Sequence, residues 1–260
     1  MSSHEPERHR ESGWALVVRW RGLGLAAVAI VVTLWLAATG QLILYIHPRY
    51  VVFTAIMGVI ALALLVASFA VRHGHSHDET PTRGQKIATI TGAAVSIALA
   101  VAMIVVPPAT LSSATAIQRD VGAVSGAGTS QTVAGVSSAS AAAFAKFTVS
   151  DWSSLLRQTS DPAFYTGKPA DVVGFVTSDS TDPANLFYLT RFVITCCAVD
   201  AQPIGVPVYL PDWKQKYPQN TWLKLTGTFV SDPSTKSSEQ IALVPESAKK
   251  TPKPKQPYLF

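Results

Sequence analysis

Three apolar runs before residue 107 constrain this chain more than anything that follows them. Gly22 to Ile46, Val51 to Val71 and Ile87 to Val106 contain no Asp, Glu, Lys, Arg or His, and about 20 such residues suffice to cross the hydrocarbon core of a bilayer. They predict three transmembrane helices. His47-Pro48-Arg49-Tyr50 separates the first two, because Pro48 disfavours helix at His47 and lacks a backbone donor. Arg72 to Lys86 is a polar loop, and Pro107-Pro108 stops the third run. A cleaved signal peptide is the competing reading of the first run, since Ala37-Ala38-Thr39-Gly40 has small residues. The length of the run and the two spans behind it weigh against that reading.

Lys and Arg in the short flanks set the orientation, because cytoplasmic loops carry the excess. Arg19, Arg21, Arg72, Arg83 and Lys86 fall on one side, with only Arg49 and Arg119 on the other. The expected topology has the amino terminus inside the cell and the carboxyl half outside it. Net charge is +5, but ten cationic and six anionic residues lie up to Val149, against eleven and ten after it. The basic excess therefore belongs to the membrane flanks. A nearly balanced second half does not suggest a nucleic-acid partner.

The sequence divides into a cytoplasmic tail (1–21), a three-helix region (22–107), a Ser/Ala/Gly-rich linker (108–148) and an outer domain (149–260). The linker, with Val121-Gly-Ala-Val-Ser-Gly-Ala-Gly-Thr-Ser130, reads as flexible because it offers little to bury. In the outer domain Ser150 or Asp151 is placed to cap a short helix bearing Trp152, Leu155 and Leu156. Strand-like runs follow at Pro169–Thr177, Leu186–Ala198, Val206–Leu210, Thr221–Val230 and Gln240–Val244. Five short strands with one short helix predict a small all-β domain, a Greek-key barrel of the oligonucleotide/oligosaccharide-binding (OB) type. An open antiparallel sheet with a helix on one face is the alternative. Gly174 and Gly227 are candidates for strand bends.

Tyr45-Ile-His-Pro-Arg49, the Pro107-Pro-Ala-Thr-Leu-Ser-Ser run, Val173-Gly-Phe-Val176, Arg191-Phe-Val-Ile-Thr-Cys-Cys-Ala-Val-Asp-Ala201 and the ending Pro257-Tyr-Leu-Phe260 together resemble the YcgQ-type family of two-component permease subunits. The resemblance implies a bacterial protein of the plasma membrane that works beside a larger polytopic permease. It supplies a partner and no reaction.

Cys196 and Cys197 are the only cysteines. On a regular strand they would point to opposite faces and could not share a site. If the strand ends there, they could form a strained disulfide, supply a metal ligand or leave one reactive thiol exposed; two small buried residues would be the plain structural alternative. Asp200 could join a metal, but it is better placed to hold backbone amides in a turn over Ala201–Gly205. Arg191 is expected in an ion pair.

All six histidines precede the outer domain, which therefore cannot build a Cys/His zinc site alone. His47 is the one histidine expected on the outer side, where it could join the outer domain in a membrane-proximal metal site. His73, His75, His77 and Asp78 form a loop suited to zinc, nickel or copper. The spans have no ionisable interior and so no ion path of their own. No catalytic signature is present, so an enzyme is not expected. The expected role is an accessory permease subunit, with a metal ion or metal complex as cargo; a membrane-tethered binding or thiol-redox module is the alternative.

Overall fold

The computed structural model describes residues 13–70, 87, 91–92, 94–95, 98, 101–102, 111–119, 121 and 131–260. It forms two compact units, one of Met1–Ile43 with Pro48–Pro108 and one of Leu44–His47 with Ala109–Phe260.

The first unit contains helices α1 (Gly13–Ala38) and α2 (Pro48–Ala70). Within α2, Pro48–Ser68 has a mean hydropathy of 2.6 and is long enough to cross a membrane; Gly24–Ala38 is a shorter apolar stretch. Val52, Phe53 and Leu64 of α2 are 68%, 64% and 66% exposed, so this helix presents large apolar side chains that water would not favour. The two helices approach closely at Gly58, where a Cβ would lie 2.9 Å from Leu34 Cδ2. Small residues permit such contact between apolar helices. The third expected span, Ile87–Val106, lies largely outside the described residues.

The first expected span does not continue as helix to Ile46, and among the described residues Pro48–Ser68 is the one helix long and apolar enough to cross a membrane. Gly40 has φ +70 and ends α1, after which Leu42–Leu44 forms a single 3-10 turn. The last residues of the run, from Leu44, then join the second unit.

That unit is built on strands β1 (Pro169–Ser178), β2 (Leu186–Val193), β3 (Gln202–Tyr209), β4 (Trp222–Ser231), β5 (Ile241–Lys250) and the short β6 (Tyr258–Leu259). The sheet order is β1-β4-β5-β3-β2-β6, and β1 also pairs with β2. The first five strands therefore close into a ring. All its pairings are antiparallel except β3 with β5, where Val208 meets Leu243 in parallel. Closure needs strands to bend and approach one another. Gly227 sits at the register shift between β4 and β5, where a Cβ would meet Val244 O at 2.3 Å; at Gly174 it would meet Thr190 O at 2.7 Å.

The main core is filled by alternate strand residues together with Trp152, Trp213 and Tyr165. Trp152 comes from the helix Val149–Gln158, whose N-cap is Thr148, ahead of both expected caps, Ser150 and Asp151; Thr148 and Asp151 form a capping box. The supposed linker also contributes. Val136, Phe144 and Phe147 are buried in this core, and Ser113–Gln118 is a helix with Ala116 fully buried. A few large apolar groups among many small ones suffice to fold that stretch onto the barrel; residues 122–130 lie outside the described residues.

Strand limits differ from expectation in three places. β2 stops at Val193 instead of running through the cysteines, β3 begins at Gln202 inside the expected turn, and β5 continues to Lys250. A second core of Ala116, Phe175, Phe192, Ile194, Ala201 and Tyr258 lies beside the point where β2 ends.

Candidate functional site

Between Val193 and Gln202 the chain makes a tight excursion whose two ends are anchored and whose tip is open. Ile194 and Ala201 are fully buried, while Cys196 is exposed and Val199 is 82% exposed. Asp200 closes the turn. Its carboxylate accepts the amides of Thr195 at 3.2 Å, Cys196 at 2.6 Å and Cys197 at 3.4 Å. This is why β2 stops: amides that would extend a ladder are captured by a local side chain. Asp200 thus has the turn role, but the turn lies before it, over 195–200, and not over Ala201–Gly205.

The excursion is held from two further directions. Ile194 N–H donates to Leu259 O at 3.0 Å, tying it to β6. Ile46 forms an antiparallel bridge with Cys197, His47 N–H donates to Cys196 O at 2.9 Å, and Ala198 N–H donates to Tyr45 O at 2.8 Å. The Tyr45–His47 segment is therefore a miniature strand laid on the cysteine turn. The His47 ring meets Phe260 edge-on, with centroids 4.8 Å apart. Arg119 also donates to the Ala201 carbonyl.

Because the cysteines sit in a turn and not on a strand, their side chains converge. Their Sγ atoms are 3.6 Å apart and unbonded. The ligand atoms of Cys196, Cys197 and Asp200 all lie within 4.8 Å of one another. His47 reaches this turn through its backbone and is not one of that group. His73, His75, His77 and Asp78 lie outside the described residues.

Charge at the turn is set by Asp200. A hydrogen bond to Asp200, then one to Cys197, holds the Cys196 thiol protonated, with its pKa pushed up to about 12. Burial opposes the charge on Asp200, but hydrogen bonds from the Cys196 thiol and from the amides keep its carboxyl below the usual range. Cys196 should therefore alkylate slowly at neutral pH, since the thiolate is the nucleophile. Asp200→Asn is expected to raise its rate at least tenfold, on the order of what return toward an ordinary thiol pKa of about 8.5 allows. Site-resolved mass spectrometry after timed alkylation checks this; an unchanged Cys196 rate would contradict it.

Arg191 does not form the expected ion pair. It is buried, and its guanidinium donates to three carbonyls: Pro257 at 2.9 Å, Gln256 at 3.1 Å and Val173 at 3.3 Å. It also lies over the Trp222 ring, 5.3 Å from the centroid. Burial lowers its pKa to about 10, which leaves it cationic at neutral pH. Its work is to fasten the carboxyl-terminal segment beside the cysteine turn.

Two features had no local signal in the sequence. One is the Tyr45–His47 partner strand, 151 residues from the turn at Ile46↔Cys197. The other is a cavity of about 270 Å³ whose walls include Phe175, Phe192, Trp222, Tyr258 and Lys253.

Two family models match the chain: the DUF1980 N-terminal domain over residues 21–122 and the DUF1980 C-terminal domain over residues 137–260. No curated protein and no solved structure matches it.

Proposed function

Since the chain carries both the N- and C-terminal domains of the DUF1980 family, we propose that it is an accessory subunit of a bacterial membrane permease. Three helices anchor it in the plasma membrane beside a larger polytopic partner. The second unit is an OB-type barrel on the outer face, which gates the partner or receives its cargo, a metal ion or metal complex. It performs no catalysis and binds no nucleic acid.

The observation that carries this reading is the Ile46–Cys197 bridge. Residues joined by backbone hydrogen bonds must share one side of a bilayer. If α2, which starts at Pro48, crosses once, a further crossing is needed before Leu111, and the apolar run Ile87–Val106 can supply it. Three crossings then put Tyr45–His47 and the barrel on the same side, and the Lys and Arg distribution makes that side the outer one. The exposed apolar surface of α2 supports a lipid or helical partner. The ring order β1-β4-β5-β3-β2, with one parallel contact between β3 and β5, supports the OB-type reading.

Affinity purification of the full chain in mild detergent tests the proposal. A polytopic membrane protein should co-purify in stoichiometric amount and be lost when α1 and α2 are exchanged for unrelated apolar helices. A chain that always purifies alone would overturn it.

The unbonded Sγ pair at 3.6 Å favours one alternative, a tethered thiol-redox module. There both thiols lose two protons and two electrons to an external quinone or disulfide and form the vicinal bond. Peptide mass spectrometry of protein alkylated in intact cells distinguishes the two: a reversibly oxidised pair supports the redox module, and a pair reduced under all conditions excludes it.

A further inference from the structure

We propose that Cys196, Cys197 and Asp200 form a three-donor site for a thiophilic divalent cation of tetrahedral preference, zinc foremost, with one coordination position left open. The inference deepens the metal reading above and rests on it only for what the bound ion is for.

Donor geometry is the first argument. With Zn–S bonds of about 2.3 Å, two sulfurs 3.6 Å apart subtend roughly 100° at the metal, near the tetrahedral angle. A linear two-coordinate ion with bonds of similar length would instead need the sulfurs about 4.6 Å apart. The thiols are therefore spaced for tetrahedral chelation from adjacent residues. The Asp200 carboxylate completes a set whose ligand atoms lie within 4.8 Å of one another.

Preorganisation is the second. Asp200 is fixed by three amides, two of them on Oδ2 and one on Oδ1, which leaves a lone pair on Oδ1 for a metal. The backbone of the turn is clamped by Tyr45–His47 on one side and β6 on the other. Amides and clamps of this kind do for the ligands what an outer shell does in other metal sites. Binding displaces both thiol protons to solvent, so the bound unit is a metal dithiolate carboxylate with no change of oxidation state.

Exposure is the third. Cys196 is exposed and Cys197 half-buried, so the fourth position faces solvent and can take water or an incoming ligand. Closed four-ligand sites hold structural zinc, whereas three protein ligands leave an exchangeable position. That suits capture and release of an ion.

Cobalt(II) is the probe, added to reduced, metal-stripped full-length protein in detergent. One equivalent should give a thiolate-to-cobalt charge-transfer band with the intense visible bands of tetrahedral geometry, and zinc should displace it. Cys196→Ser and Cys197→Ser should each weaken binding more than tenfold and reduce the band. Asp200→Asn should weaken binding about tenfold yet keep the thiolate band. Changing His73, His75 and His77 to Ala should leave the spectrum intact. A spectrum without the thiolate band, or one unchanged in the double Cys→Ser variant, would overturn the site. The measurement needs no partner, so its failure and a failure of co-purification are separate results.

Discussion

Trp152→Ala is expected to destabilise the barrel by about 3–5 kcal/mol, the range for removing a fully buried Trp side chain. Trp152 has no exposed surface, and its ring lies 4.7 Å from Phe229, 5.4 Å from Phe147 and 5.8 Å from Phe144. It joins three pieces of sequence: its own helix, the segment 131–148 and β4. For a unit of this size the loss corresponds to a fall in Tm of about 10 °C, readable by circular dichroism in detergent. Trp152→Phe should cost far less. The indole N–H is buried without a partner, so the smaller ring removes an unsatisfied donor along with part of the packing. Equal losses for Ala and Phe would contradict this account of the core.

Arg191→Met is expected to lower stability by about 2–3 kcal/mol, because three carbonyls lose a charged donor while the apolar stem is kept. The more specific result is local. Gln256 and Pro257 are released, and with them the pairing of Phe192 with Tyr258 and Val193 with Leu259. Hydrogen exchange should rise at Ile194 to Ala198 and at 256–260, with little change at the β4–β5 pairing. Arg191→Lys should not restore protection, since a single ammonium cannot reproduce the guanidinium fork. Unchanged exchange at Ile194 in Arg191→Met would show that the tail is held by other means.

The strands were legible where local rules act alone. β1 and β4 alternate between turn-rich breaks, and both ends fall within a residue of expectation. In sequence β2 reads too long because Ile194-Thr195 continues the alternation; only the Asp200 carboxylate, capturing three amides, stops it. Composition concealed the order in 131–148, where Val136, Phe144 and Phe147 are few but each is buried. Cys196, Cys197 and Asp200 could be named from sequence, yet their convergence depends on the strand ending two residues before Thr195. A carboxylate is the ordinary partner of an Arg such as Arg191, whereas its burial beside a strand end supplies carbonyls instead. The Tyr45–His47 pairing was illegible, since an apolar run reads as membrane until a long-range partner claims its last residues.

That pairing underlies the proposed topology and the clamp on the cysteine turn, and a cross-link tests it. Ile46→Cys in a Cys196→Ser background places a thiol opposite Cys197, where directly paired residues in an antiparallel bridge stand about 4.5–5.5 Å apart at Cα. That spacing is within disulfide reach. With a protease site inserted in the loop 72–86, oxidised and cleaved protein should run as one species on a denaturing gel and separate into two fragments on reduction. Fragments that separate without reductant, although both thiols are accessible, would contradict the pairing and the three-crossing arrangement built on it.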